Sequence, residues 1–531
     1  MLIRSVELKQ LNDPIYWKPA RPMRCMIIFP PSNRAVRAMY TFHNESEDSS
    51  QGVKPPLGPL FIATYMKQNS PHEVKVLDCQ VLGLKDDDIR REIQAFKPDV
   101  LGVTAWSDFW YDAYRCIEIA RETDPDMHIT VGGPHVSIYP EVTLEHSGCD
   151  SVILGDAEVP FTWLANVLSH GEKPAGLPGL HFREHGVKQG LEQFYTHAEL
   201  DTLPFPDRTL LPYEKYSSVL SKGSLVTTMI TSRGCPHKCT FCKLSFQKTL
   251  SRSAEDVVNE MESIARLGIR EIEVYDDTFT WSRQRLIDIC KGILDRGLKL
   301  DWAIRDRVSN ATPDTMEWLA KAGCSRIHFG VESGSPKTLL RIKKAITTDQ
   351  AVNAVRLARK YNITVLTYFM LGLPGETLED MRDTIRFAKK LDPDYTTFSV
   401  TVPYAGTEMY HEGLKLGIIP EDFWLAYAKK PVPNMVVPYF WEEHLGKSDL
   451  LRIRDEATRA FYFRPRYIAR QLLQTNSWAE IARKGKMAAG LFQTTVLGKG
   501  SQVYKRFKEV RIPRTPTGFA NNEANPLSVR V

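Results

Sequence analysis

Thr231-Ser-Arg-Gly-Cys-Pro-His-Lys-Cys-Thr-Phe-Cys242 places three cysteines, Cys235, Cys239 and Cys242, within eight residues, directly after a largely β-branched run from Val226 to Ile230. Thiolates this close together on one loop cannot all point into a packed core. Three of them also leave one iron of a four-iron cluster without a protein ligand. An iron with an open position does chemistry, whereas a fully ligated cluster mostly moves electrons. A structural zinc would need four ligands, usually from two separated pairs; here His237 lies inside the loop and no second cysteine pair follows. The other six cysteines (Cys25, Cys79, Cys116, Cys149, Cys290, Cys324) are scattered and read as ordinary thiols, not as a disulfide framework.

Downstream of this stretch, apolar strand-like runs alternate with amphipathic helical ones. Six strands are predicted, at 225–230, 271–275, 300–304, 326–331, 364–371 and 395–402, with helices such as Ala254 to Leu267 and Leu378 to Leu391 between them. Six βα units at this spacing predict a partial (β/α)6 barrel, whose functional groups cluster at the C-terminal ends of the strands. Those ends read Tyr275-Asp-Asp-Thr-Phe279, Arg305-Asp-Arg307, Phe329-Gly-Val-Glu-Ser-Gly334, Gly372-Leu-Pro-Gly-Glu376 and Pro403-Tyr-Ala-Gly-Thr407. Any one of them alone reads as a solvated loop. Five at successive strand ends read as a site.

Upstream, five short apolar strands (25–29, 74–77, 100–104, 128–131, 151–154) alternate with helices predicted at 59–67, 87–96, 111–122 and 158–168. The pattern predicts an α/β, Rossmann-like, doubly wound parallel sheet whose ligand lies beyond the carboxyl ends of the strands. Those ends carry Asp78-Cys-Gln-Val-Leu-Gly83, Thr104-Ala-Trp-Ser-Asp108, Gly132-Gly-Pro-His135 and Gly155-Asp-Ala-Glu158. Glycines there let backbone approach a large flat ligand. The G-x-G-x-x-G dinucleotide fingerprint is missing after the first strand. His135 alone is a weak ligand signal, because a single histidine after a Gly-Gly turn is more often satisfied locally. The expected organisation is a lead-in over 1–23, the doubly wound domain over 24–170, a proline-bearing linker over 171–222, the barrel over 223–430, a helical basic region over 431–514 and a disordered tail over 515–531.

The C-x3-C-x2-C spacing, with Phe241 before the last cysteine, resembles the radical S-adenosylmethionine (SAM) superfamily, and the upstream domain resembles a cobalamin-binding domain. Together, over residues 24–170 and 223–430, they resemble the cobalamin-dependent (class B) radical SAM enzymes. The nearest group is the one containing the anaerobic magnesium-protoporphyrin ester cyclase and the hopanoid and bacteriochlorophyll C-methylases. The resemblance implies a [4Fe-4S] cluster on Cys235, Cys239 and Cys242, with SAM as co-substrate and cobalamin as second cofactor. It implies SAM contacts from Phe241, Asp276, Asp277, Arg305, Glu332, Gly372 and Pro374. Cobalamin would be bound by Asp78, Gln80, Gly83, Thr104, Ser107, Gly132, Gly133, Pro134, His135, Gly155 and Glu158. Asp78-x-Gln80-x-x-Gly83 departs from the D-x-H-x-x-G of many cobalamin domains, and glutamine is a poor cobalt ligand, so the resemblance implies cobalamin without a histidine axial ligand. The implied activity is methyl transfer to an unactivated carbon of an apolar substrate, lipid or tetrapyrrole-like, through a 5′-deoxyadenosyl radical and methylcobalamin. The alternative is an oxidative cyclase, and from another class a non-catalytic cobalamin or iron–sulfur sensor. A ferredoxin- or flavodoxin-type electron donor is implied as partner.

Composition sets the surroundings. The chain has 531 residues, 43% hydrophobic and 25% charged, which predicts two or three globular domains. No apolar run follows basic residues at the N-terminus, so no secretory signal is expected, and no stretch reaches the ~18 apolar residues of a membrane span. An oxygen-sensitive cluster and free thiols suit the cytoplasm. From Trp441 to Val531 there are 17 Lys and Arg against 8 Asp and Glu, so the net charge of +5 belongs to the tail. Phe461-Tyr-Phe-Arg-Pro-Arg-Tyr-Ile468 and the basic residues from Lys484 to Lys508 predict either a helical lid or a surface peripheral to an anionic membrane. Nucleic acid is not expected, because no RNA-binding signature accompanies the charge.

Overall fold

The computed structural model of the protein describes residues 2–3, 14–34, 53–173, 179–184, 187–190, 196–218, 220–221, 225–243, 248–473, 485, 489 and 492. The expected disordered tail, and the basic residues from Lys484 to Lys508, lie outside them.

The first sheet is built on strand β1 (Arg24–Phe29). Alternate residues of this strand enter different cores: Cys25 and Ile27 pack with one helical layer, Met26 and Ile28 with the other. Burial on both faces is why the strand reads as a continuous apolar run. The chain continues through α1 (Leu57–Asn69), β2 (Glu73–Asp78), α2 (Asp86–Phe96), β3 (Val100–Thr104), α3 (Trp110–Thr123), β4 (His128–Gly132), α4 (Pro140–His146), β5 (Ser151–Ile153) and α5 (Glu158–Ser169). The five strands are parallel in the order β2-β1-β3-β4-β5. Residues of α1 and α5 fill one core with Cys25 and Ile27, while α2 and α3 line the opposite face, so the sheet is doubly wound. The expected linker contributes to it too. Strands β6 (Leu180–Glu184) and β7 (Val187–Gly190) add an antiparallel hairpin beyond β5.

The second sheet holds β8 (Val226–Met229), β9 (Glu271–Val274), β10 (Asp301–Asp306), β11 (Cys324–Glu332), β12 (Thr364–Leu371) and β13 (Tyr395–Val400), all parallel and in sequence order. Helices on the outer face include α6 (Ala254–Arg266), α7 (Arg283–Asp295), α8 (Pro313–Lys321), α9 (Pro336–Arg341), α10 (Thr348–Lys360) and α11 (Leu378–Leu391). On β12, Val365, Thr367, Phe369 and Leu371 are buried toward these helices, and Thr364, Leu366, Tyr368 and Met370 are half-open on the concave face. The sheet is thus a half-barrel with an accessible lumen.

Its last strand would be a bare edge, which invites wrong pairing. After α12 (Glu408–Lys415) and α13 (Phe423–Lys429), helix α14 (Lys447–Tyr462) and α15 (Pro465–Leu473) cover it. Tyr462 Oη donates to Thr396 O at 2.6 Å and accepts from Thr396 N–H at 3.0 Å. Arg464 and Arg470 both close on Asp392, at 2.8 and 2.5 Å. Among the described residues no helix is long and apolar enough to cross a membrane.

Candidate active site

The cysteine loop leaves the C-terminal end of β8 and is held from beneath by a single carboxylate. Asp276, fully buried after β9, accepts from the N–H groups of Thr231 (2.6 Å) and Ser232 (3.1 Å) and from their hydroxyls (2.5 and 2.7 Å). Both of its oxygens are filled by the loop's lead-in. Ser232 and Arg233 then pair antiparallel with Leu250 and Ser251, which closes the loop's base. On the far side, Thr240 donates its N–H to Ile342 O (3.1 Å) and accepts from Met409 N–H (2.9 Å).

Cys235 is buried, Cys239 half-buried and Cys242 exposed, so the three sulfurs run from the core to the surface. Cys235 Sγ lies 3.7 Å from the Thr278 hydroxyl. Cys242 is open on one side and packed about by protein on the others. That packing first, and then Cys239, Asp277 and Cys235, push its thiol up to about 11, with Lys344 opposing. Metal ligation requires thiolates, and a cationic centre is what relieves thiolates crowded in this way, so the donor set fits an iron–sulfur cluster.

Around the loop, the predicted SAM residues take distinct places. Phe241 packs against Ile342, Leu373, Met409 and Trp441. Asp277 has its carboxyl raised by burial and then by Asp276. Glu332 is buried with φ +68°, and its Oε1 accepts from Lys344 Nζ at 2.7 Å. A left-handed glutamate stores strain of about 1–3 kcal/mol, a cost found mostly at functional positions. Gly330 makes room for the pair: a Cβ there would lie 2.5 Å from Glu332 Oε1 and 2.8 Å from Lys344 Nζ. Gly372 donates its N–H to Glu376 Oε2 at 2.8 Å, in the same turn as the buried Pro374. Arg305 stacks on Tyr275, its guanidinium carbon 3.6 Å from the ring centroid.

The other part of the site is a cavity of about 270 Å³ at the carboxyl ends of the first sheet. Of the predicted cobalamin residues, Thr104, Gly132, Gly133, Gly155 and Glu158 line it. Gly133 has φ +103°, and a Cβ there would meet Ala105 O at 2.7 Å, so the turn tolerates no side chain. Asp78, Gln80, Gly83, Ser107, Pro134 and His135 stand outside the lining. Asp78 is buried, accepting from the N–H groups of Gln80 (2.9 Å) and Val81 (3.3 Å) and from the Tyr216 hydroxyl (2.7 Å). Gln80 donates to Pro30 O at 3.1 Å, and Gly83 turns the chain with φ +63°. His135 lies on the Trp110 ring at 4.1 Å, with Nδ1 3.2 Å from Ser107 Oγ, and burial pushes it down to about 3, so it is a neutral packed ring.

Sequence reasoning missed the groups that join the two halves. Ile230 and Arg233 of the cysteine loop also line the cavity. Arg233 reaches Asp156 at 2.8 Å and Glu158 at 2.7 Å, over the Phe61 ring. An arginine next to a cysteine motif carries no signal of partners more than 70 residues upstream. The cavity wall and the cluster loop are thus one structure, and a ligand with its edge in the cavity meets the residues that lead into the cysteines.

Residues 229–388 match the Radical SAM superfamily, and residues 48–165 match the B12 binding domain. An uncharacterized methyltransferase of Pyrococcus horikoshii is 33% identical over 457 residues, covering 85% of this chain and 95% of its own. The anaerobic magnesium-protoporphyrin IX monomethyl ester cyclase of Rubrivivax gelatinosus is 27% identical over 424 residues, covering 77% of this chain and 74% of its own. Among solved structures, the fold is similar to that of the radical SAM methyltransferase TsrM from Kitasatospora setae with cobalamin and [4Fe-4S] cluster bound. The TM-score is 0.61 at 20% identity, over 75% of this chain and 79% of that one.

Proposed function

The chain belongs to the cobalamin-dependent radical SAM enzymes, and from that premise we propose that it transfers a methyl group from SAM to an unactivated carbon of an apolar, lipid- or tetrapyrrole-like substrate. When bound, an iron–sulfur cluster would supply the electron for reductive cleavage of SAM and cobalamin would carry the methyl group. The protein's part is to place and enclose. Cys235, Cys239 and Cys242 hold the cluster, and Asp276 fixes the loop that presents them. Glu332 and Lys344 offer a carboxylate and an ammonium beside Phe241 for the amino-acid end of SAM. Thr104, the Gly132-Gly133 turn, Gly155 and Glu158, which line the cavity, would hold the corrinoid.

The observation that carries this reading is that Ile230 and Arg233 belong both to the cluster loop and to the wall of the cobalamin cavity. A methyl carrier and a radical source must serve one substrate carbon, and shared walls keep them adjacent. Half-open Leu366 and Met370 give the lumen apolar surface for the substrate. A ferredoxin or flavodoxin would supply the electron. A cytoplasmic enzyme peripheral to a membrane completes the reading, and exposed Leu472 and Leu473 at the end of α15, at 65% and 85%, are apolar surface that such an association would use.

The second reading is radical oxidation with ring closure, favoured by the likeness to the ester cyclase. Anaerobic turnover of cell-extracted lipids and pigments with methyl-labelled SAM separates the two. Label in a product heavier by a methylene supports methyl transfer. An unlabelled product lighter by two hydrogens supports oxidation and sinks the first reading. In Cys239→Ala, release of 5′-deoxyadenosine should stop; continued release would remove the cluster assignment.

A further inference from the structure

The concave face of the half-barrel carries a set of polar groups that the reaction as described does not use. At its floor, Glu273 Oε1 accepts from Lys54 Nζ (2.8 Å) and from Arg326 Nη2 (3.0 Å), so one carboxylate serves two cations. Arg326 Nε–H also donates to His328 Nε2 at 3.0 Å. That bond fixes the tautomer. Burial pushes His328 down to about 3, aided by Arg305 and Arg326, so the ring is neutral and carries its one proton on Nδ1. Nδ1–H then donates to the Tyr368 oxygen, 2.8 Å away. The Tyr368 hydroxyl proton is thereby turned away from His328, on a half-open residue of the lumen face.

Above this chain stands Arg305, also half-open. Its Nη1 donates to Val274 O at 3.2 Å and its plane covers Tyr275, but no carboxylate among the described residues pairs with it. Lys54 and Arg326 are thus held by Glu273, and Glu271 and Asp301 lie on the same face nearer the strand starts, while Arg305, toward the strand end, has no carboxylate of its own among the described residues. Arg305, whose nearest acceptors are the Tyr275 hydroxyl and Val274 O, and Tyr368 beside it both have donor capacity that no described carboxylate takes up. A wall of this kind repels cations, gains little from a neutral hydroxyl, and favours an oxyanion strongly, because hydrogen bonds to an ionised acceptor are about twice as strong as neutral ones. Its position is next to the chemistry: Tyr275 is three residues before Thr278, whose hydroxyl touches Cys235 Sγ.

We propose that the lumen binds the acidic group of the substrate, a carboxylate or a phosphate, on Arg305 and Tyr368, so that the substrate is an apolar molecule with an anionic end. This rests on the radical SAM reading for what the lumen is for, and it gives that reading a polarity: the acid end is anchored at β10 and β12, and the apolar body extends from there past Leu366 and Met370.

The test uses anaerobically reconstituted holoenzyme with SAM held saturating, so that the carboxylate of SAM is already accommodated. Octanoate, octyl phosphate and octanol are titrated calorimetrically, without reductant and without turnover. One of the two acids should bind at least about tenfold more tightly than octanol, and which acid it is identifies the source of the oxyanion. Arg305→Met should weaken that acid about tenfold and SAM less than about threefold, Arg305→Lys should recover part of the loss, and Tyr368→Phe should weaken the acid a few-fold. If both acids bind no better than octanol, or if Arg305→Met weakens SAM tenfold and leaves the acid-to-alcohol ratio unchanged, the proposal is overturned. Should Arg305→Met fail to retain iron and corrinoid, the Tyr368→Phe titration decides alone. Because no turnover is read, the outcome is independent of whether label from SAM enters a product.

Discussion

Asp276 shows how much one side chain can be asked to hold. Four donors, two backbone and two hydroxyl, end on its two oxygens in a site closed to water. Each buried donor left unmatched costs about 1–3 kcal/mol. Replacement by asparagine keeps the shape but turns one acceptor into a donor that faces Thr231 or Ser232. We expect Asp276→Asn to fold, because its barrel core is untouched, and to lose most of its iron during anaerobic desalting, with corrinoid content little changed. Full iron retention would mean that the loop is held by its cluster and not by this carboxylate. The residue was legible in the sequence only as an acid at a strand end, which suggested a contact to SAM. Its hold on the loop depends on hydrogen bonds from residues 45 and 44 positions earlier, and spacing along the chain does not encode those.

Elements were legible where burial left no choice. The central strands of both sheets are apolar because helices cover one or both faces, and helix α14 falls within the helical region expected over 431–514. The hairpin of β6 and β7 was not. Leu-His-Phe-Arg-Glu and Val-Lys-Gln-Gly are short and mostly polar, as a sheet margin is, so they read as linker. Glycines at strand ends were informative for a physical reason, since Gly133 and Gly330 stand where a Cβ would strike a neighbour. The turn that follows β12 gives a prediction at this scale. Glu376 ties it to the segment after β11, accepting from the N–H groups of Gly372 and Leu373 and from the Ser333 hydroxyl. Burial raises its carboxyl from 4.5 to about 7. The unfolded chain gives up this proton near pH 4.5 and the folded protein near 7, so the folded state binds the extra proton in between. Stability from this group is therefore complete below 4.5 and falls as pH rises to 7, by an amount on the order of 3 kcal/mol. Glu376→Gln imitates the protonated acid. Its unfolding temperature should match the wild type at pH 5 and exceed it at pH 8; parallel curves across that range would show that Glu376 ionises normally.

At the scale of the whole molecule, the question is how two cofactor sites on two sheets act on one carbon. The only ion pairs described between the cysteine loop and the first domain are those of Arg233 with Asp156 and Glu158, and all three residues line the cavity at the carboxyl ends of the first sheet. A half-buried arginine between two carboxylates holds as a set, because removing the cation leaves two like charges side by side. The set also gives the sites a way to sense each other. A corrinoid that orders Asp156 and Glu158 orders Arg233, and with it the backbone two residues before Cys235. Linkage requires the converse, that a loaded cluster tightens corrinoid binding by the same factor, commonly about 5–150-fold. We expect cobalamin to bind wild-type protein at least about fivefold more tightly with the cluster in place than without it. In Arg233→Met this ratio should collapse toward one, and in the Glu158→Gln variant it should shrink without vanishing, because Asp156 still holds the guanidinium. Affinities follow from absorbance titrations of iron-loaded and iron-free protein, with the elution volume of each variant checking that it remains folded. A ratio near one in the wild type would mean that the two halves bind their cofactors as strangers. A ratio preserved in Arg233→Met would mean that the coupling runs through the packed surfaces of the two domains and not through this ion triad.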